Sequence, residues 1–145
     1  MTHLFYQKRY LEDTRPEPHI LPIDPKGRAM VRRLAQMVIA DIQPLQNLRV
    51  LAHVGEEGKM EWARKWITEG FHPLEKLLSE CAGTFAYGET PTMADFCIGP
   101  QVYNANRFSV DMKQFPIISR VAANLEKLEF AKRAHPENQP DAVKQ

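Results

Sequence analysis

Three amides and a proline close one amphipathic run, and the types and spacing of two of the amides suit them to hold a polar ligand. In IQPLQNLRVL, residues 42–51, Gln43 and Asn47 lie four positions apart, so on a helix both amides share a face and can hydrogen-bond one molecule. Pro44 between them has no N–H. It leaves the Ala40 carbonyl without its helical donor and predicts a kink or local opening there. The same amides suit a solvated helix end or a cap, so the pattern alone leaves both roles open. The second candidate is Arg107 in NANRF, whose planar fork can grip a carboxylate through two parallel bonds or satisfy the last carbonyls of a helix.

Other reactive types carry less. Cys97 shares an apolar face with Met93 and Phe96, where a cysteine is ordinarily inert core. Arg28, Arg32 and Arg33 form a basic cluster whose usual explanation is a solvated face or an ion pair between subunits. Trp62 and Trp66 share a face and suit a core or a domain contact. The five histidines, His3, His19, His53, His72 and His135, show no metal-ligand spacing with Cys81 or Cys97, so no metal site is expected.

The elements that must position these residues are helical. Residues 14–25, TRPEPHILPIDP, contain four prolines and read as a boundary segment. Asp24 and Pro25 then supply a cap and a first helical residue, and Val31, Leu34, Ala35, Val38, Ile42 and Leu45 recur at helical spacing to define a first helix ending near His53. A turn at Gly55 and Gly58 precedes a second helix marked by Trp62, Trp66, Ile67, Leu74, Leu77 and Leu78, which Pro73 is expected to interrupt. Thr92 and Asp95 form a capping box for a third helix, a structural role, with a kink expected at Pro100. Pro116 opens a fourth helix through Ile117, Val121, Leu125 and Leu128, and the tail HPENQPDAVKQ is expected to be extended and polar. Four amphipathic helices with no alternating strand pattern and no repeat predict an all-α bundle.

Composition narrows the class. At 145 residues and 43% hydrophobic, the chain is long enough for one buried core. A net charge of +1 supports neither nucleic acid nor anionic membrane as a partner, and no apolar run reaches the roughly 18 residues that cross a bilayer. Two cysteines and no export signal at the N-terminus suggest a reducing, cytoplasmic setting.

Three ordered blocks carry a resemblance: IQPLQNLRVL, then GETPTMADFCIGPQVYNANRF at residues 88–108, then HPENQPDA at residues 135–142. From about Tyr10, in YLEDTRP, to its end, the chain resembles the C-terminal half of a zeta-class glutathione transferase, the family that includes maleylacetoacetate isomerase. The resemblance implies an all-α bundle of the glutathione transferase C-terminal type over residues 23–133, after a junction and linker at residues 1–22 and before a tail at residues 134–145. It also implies a homodimer contact through the first helix.

The family reaction is glutathione-dependent isomerisation of maleylacetoacetate to fumarylacetoacetate in tyrosine and phenylalanine breakdown. By resemblance, Arg107 faces the dicarboxylate substrate, and Gln43, Asn47, Leu48 and Arg49 touch glutathione. The family activates the thiol with a Ser-Ser-Cys motif in an N-terminal thioredoxin-like domain. That motif is absent, the nearest tripeptide being Ser79-Glu80-Cys81, so no catalytic residue is assigned. The expectation is a truncated product, isoform or gene-model error lacking that domain. Alternatively, the chain is a non-catalytic helical interaction module derived from the same domain.

Overall fold

A carboxylate ahead of a proline starts the first core helix. The computed structural model describes residues 2–15 and 17–142; Met1, Pro16 and the last three residues of the tail lie outside it. Asp24 is extended, and its Oδ1 accepts from the Gly27 N–H at 2.7 Å, which starts α2 (Pro25–Gln36) with the proline where no N–H is needed. α2 packs Val31, Leu34 and Ala35 into the core with no exposed surface.

The first helix opens at Pro44 as expected, but it does not resume as the same helix to His53. After Gln36 the backbone widens into a π turn (Met37–Ile42), in which the Gln43 N–H bonds back to the Val38 carbonyl, and then tightens into a 3-10 turn (Gln43–Gln46). Asn47 is extended, with φ −63° and ψ 146°, and its Oδ1 accepts from the Arg49 N–H at 3.0 Å. It therefore caps a new helix, α3 (Leu48–Val54). Gly55, at φ 88°, ends α3 in a conformation that a side chain would strain.

α4 (Lys59–Cys81) is the central helix and corrects the expectation at Pro73, which it passes without interruption. The proline ring faces solvent, so water can satisfy the carbonyl it orphans. The opposite face buries Ala63, Ile67, Phe71, Leu74 and Leu78 completely. Phe71 meets Phe115 edge to face with ring centroids 5.3 Å apart.

α5 (Asp95–Arg107) likewise runs through Pro100 as one helix. The connection after Arg107 turns the chain back along α5 into α6 (Pro116–Glu126). Gly99 allows a close crossing, since a Cβ there would lie 2.7 Å from Leu125 Cδ2.

Two further helices were not anticipated. α1 (Thr2–Thr14) precedes the linker, and Glu12, only 6% exposed, holds the two together. Its carboxylate accepts from the Ile20 N–H at 2.9 Å and from Arg28 at 3.2 Å. α7 (Glu129–Ala134) follows α6, and the described part of the tail, residues 135–142, is folded rather than extended. A 3-10 turn (Pro136–Asn138) lets Asn138 and Gln139 donate to the Lys132 and Arg133 carbonyls. The described residues contain no strand, only an isolated bridge between Ala82 and Gly88, and the architecture is all-α.

α6 has no side-chain cap of its own, because Phe115 occupies the cap position. Glu75 on α4 replaces it: Oε1 accepts from the Ile117 N–H at 2.7 Å and Oε2 from the Ile118 N–H at 2.9 Å. Glu75→Ala is expected to destabilise the fold by about 2 kcal/mol, with Glu75→Gln milder, in urea unfolding. Equal midpoints for wild type and Glu75→Ala would show that the cross-helix cap contributes nothing.

Candidate ligand-binding site

The helix opening at Pro44 turns a stretch that would have been a buried helix into a ledge with polar groups on offer. Gln43 is half-buried at the junction of the π and 3-10 turns. Asn47 commits its side-chain oxygen to the Arg49 amide, so the two amides do not present one helical face, and the capping role is the one Asn47 fills. Leu48 is 76% exposed and Arg49 is exposed beside it at the first turn of α3.

The ledge is fastened to α4 by a contact the spacing of residues could not show: Trp62 Nε1 donates to the Leu45 carbonyl at 2.8 Å. Trp66 packs against Trp62 with ring centroids 5.6 Å apart. Gln46, buried among these groups, was missed in the sequence, although its amide type within QPLQN was a signal. Both of its side-chain polar atoms, like Trp66 Nε1 and both amide atoms of Gln101 on α5, lack a partner among the described residues.

Arg107 is the last residue of α5 and is exposed, with its guanidinium carbon 5.7 Å from the Phe108 ring centroid. The carbonyl of Phe108 is covered by Arg64 from α4 at 3.3 Å, which leaves the Arg107 fork without that duty. No hydrogen bond joins Arg107 to Gln43, Asn47 or Arg49 among the described residues. α5 and the π turn nevertheless pack against each other, and Gln43 is the residue that follows that turn.

Thr92 and Asp95 are structural. Asp95 is fully buried, and its carboxylate accepts from the Ala86 N–H at 2.8 Å, the Thr92 N–H at 2.7 Å and the Thr92 hydroxyl at 2.9 Å. The return arm of the box is thus present. The Thr92 hydroxyl donates to Asp95 rather than accepting from a helix amide. Burial pushes the Asp95 carboxyl above its ordinary range, against the pull of the bonds it accepts.

Neither thiol is poised for attack. Cys97 is 1% exposed, and burial raises its pKa although Lys8 Nζ lies 3.1 Å from its sulfur. Cys81 is raised by burial and by Glu80. The basic cluster divides: Arg28 ties α2 to Glu12, whereas Arg33 is exposed. Among the described residues no three His, Cys, Asp or Glu side chains converge on a metal position, and no helix is long and apolar enough to cross a membrane.

A groove of about 330 Å³ lies elsewhere, between α5, α6, α7 and the start of the tail. Gln43, Asn47, Arg49 and Arg107 do not line it.

Comparison with known proteins places the arrangement. No protein-family model matches the chain. A probable maleylacetoacetate isomerase 2 of Drosophila melanogaster is 52% identical over 132 residues, covering 91% of this chain and 58% of the relative. A crystal structure of maleylacetoacetate isomerase from Anaeromyxobacter dehalogenans with bound dicarboxyethyl glutathione and citrate superposes with a TM-score of 0.90 at 42% identity, over 93% of this chain and 63% of the other. The holo structure of a bacterial maleylpyruvate isomerase, a zeta-class glutathione S-transferase, superposes at 0.89 with 38% identity, over 93% of this chain and 68% of the other. The chain thus spans less than two thirds of the length of the first curated relatives it matches.

Proposed function

Since the chain belongs to the zeta-class glutathione transferase family that includes maleylacetoacetate isomerases, we propose that it forms the helical, substrate-side wall of a glutathione-dependent cis–trans isomerase. The observation that carries this reading is the Pro44 opening, which leaves Leu48 and Arg49 exposed and the Gln43 amide at a helix break, directly after the turn that packs on α5. The donor set suits an anionic peptide: an amide that both donates and accepts, a cation, and an apolar contact.

In this reading Gln43, Asn47, Leu48 and Arg49 hold glutathione, with Asn47 acting mainly by fixing the turn. Arg107 holds a substrate carboxylate in a fork-to-fork pair and so fixes the position of the double bond. Glutathione, when bound, would supply a thiol sulfur that adds to one carbon of the cis double bond, breaking its π bond so that the remaining single bond can turn before the sulfur leaves and the double bond re-forms. The buried Cys97 and half-buried Cys81 stay protonated and take no part. Residues 23–133 are the helical domain of this reading. Its substrate is a dicarboxylate of the maleylacetoacetate type in tyrosine and phenylalanine catabolism, its setting is cytoplasmic, and it pairs as a homodimer through α2, where Arg33 is exposed.

Two measurements test it. In NMR titration of this chain, glutathione is expected to move the Gln43 side-chain amide, and maleate the Arg107 Nε–H, at weak, about millimolar affinity. Signals that stay fixed to saturation would overturn the assignment of these residues. By itself the chain is expected to isomerise maleylacetone no faster than buffer containing glutathione, because its sequence holds no Ser-Ser-Cys motif to activate the thiol. A clear rate above that background would show that the wall alone suffices.

A further inference from the structure

The groove between α5, α6 and α7 is walled by two aromatic pairs and carries a single carboxylate. Phe96 meets Phe130 edge to face with ring centroids 5.8 Å apart, and Tyr103 meets His135 in the same manner at 5.7 Å. Phe130 is 51% exposed and Tyr103 40%, so the rings open to the surface rather than being sealed in the core. Phe96 and Tyr103 are seven residues apart on α5, which places them on one face about 10 Å apart along the axis, room for one further ring. The volume of about 330 Å³ is at the lower end of the range for small-molecule sites.

Among the residues that line the groove, Glu126 alone is an Asp, Glu, Lys or Arg. It is the last residue of α6, where the partial negative charge of the helix end disfavours a carboxylate, so helix stability does not account for it. The lysines around it have other partners. Lys127 Nζ donates to Asn124 Oδ1 at 3.0 Å, and Lys132 Nζ to Glu129 Oε1 at 2.6 Å. Lys8, whose ammonium lies 5.9 Å over the Phe96 ring, donates to the Cys97 sulfur at 3.1 Å. Glu126 itself forms no salt bridge among the described residues.

The helix end and the free carboxylate therefore add, and concentrate negative potential at the edge of an aromatic groove. Such a groove suits a cation with an apolar body: the ring quadrupoles and the carboxylate both attract an ammonium, and both disfavour an anion.

We propose that this groove binds an arylalkylammonium, a primary amine on a short chain that ends in one aromatic ring, with its ring between the Phe96–Phe130 and Tyr103–His135 pairs and its ammonium on Glu126. The assignment rests on the groove residues alone and stands whether or not the isomerase reading holds.

The test is titration of this chain with 2-phenylethylamine, its neutral analogue 2-phenylethanol and the anion 3-phenylpropionate, at about pH 8, where an ordinary imidazole is uncharged and an alkylamine is charged. NMR shifts of the Ala131 and Ala134 methyls, which line the groove, give the readout. The amine is expected to move both methyls saturably and to bind about fivefold more tightly than the alcohol, with the anion weakest. Glu126→Gln is expected to bring amine and alcohol within about twofold of each other, and Phe130→Ala to weaken both about fivefold. Both side chains are exposed, and amide spectra of the variants report that the fold is kept. Absence of a saturable shift, equal binding of amine and alcohol, an amine preference that survives Glu126→Gln, or full affinity in Phe130→Ala would each overturn the assignment.

Discussion

Asp95→Ala is expected to lower stability by about 4 kcal/mol, with a fall in Tm of about 14 °C. Three donors converge on this one carboxylate: the Ala86 and Thr92 N–H groups and the Thr92 hydroxyl. Asp95 has no exposed surface, so water cannot replace it when the side chain is removed. Each abandoned buried donor costs roughly 1–3 kcal/mol, and the hydroxyl can turn elsewhere while the two amides cannot. Asp95→Asn keeps one oxygen and presents its NH2 to a backbone N–H, so an intermediate loss of about 2 kcal/mol is expected.

The pH dependence has a definite sign. Burial holds the Asp95 carboxyl above the ordinary aspartate range, so the folded chain binds this proton more readily than the unfolded chain. Its contribution is therefore fully present below the ordinary value of about 4 and shrinks as pH rises through the raised folded value. Denaturant midpoints of wild type and Asp95→Ala should lie further apart in mildly acid buffer than at neutral pH. A gap that widens with rising pH would mean that the accepted bonds outweigh burial.

The Thr92–Asp95 pair was legible in the sequence because its partners are three residues apart and both ends of the bond lie in one turn. Its third donor, Ala86, comes from the preceding loop and has no local signature. Glu75 shows the same limit more fully. It caps a helix start 42 positions downstream, and nothing in its own helical neighbourhood distinguishes it from a solvated glutamate. Prolines were read correctly as to place but not always as to consequence. Pro44 coincides with the break because the chain there can widen into a π turn and restart at Asn47. Pro73 sits on an open helix face, where a lost hydrogen bond is tolerated, and α4 runs on through it. The short α7, six residues long, falls below the length at which periodicity separates helix from loop.

The candidate site divides along the same line. That Asn47 acts as a cap was one of two roles its type allowed, and the extended backbone decides between them. Arg107 and Gln43 were singled out by chemistry and resemblance, whereas Trp62, which fastens the ledge to α4, became visible only through packing. Gln46 and Gln101 remain buried with unpaired amides among the described residues.

Gly70→Ala is expected to cost about 3 kcal/mol, a large effect for one methyl group. α4 crosses the π turn at Gly70, and a Cβ there would lie 2.4 Å from Ile42 Cγ1 and 2.9 Å from its Cδ1. Ile42 is 1% exposed, so a χ1 change that swung Cγ1 away would drive its branched side chain into packed neighbours. The strain must move the backbone of the π turn, whose next residue is Gln43. Ile42→Ala alone should cost a similar amount by opening a cavity, but it also removes the atoms that the new methyl meets. The double variant should therefore be less damaged than the two single losses summed, by about 2 kcal/mol in urea unfolding. Additive losses would show that close approach is not why glycine stands at position 70. If the coupling is found, glutathione-induced shifts at the Gln43 amide should weaken in Gly70→Ala and return in the double variant, because the same crossing that packs the core sets the height of the ledge.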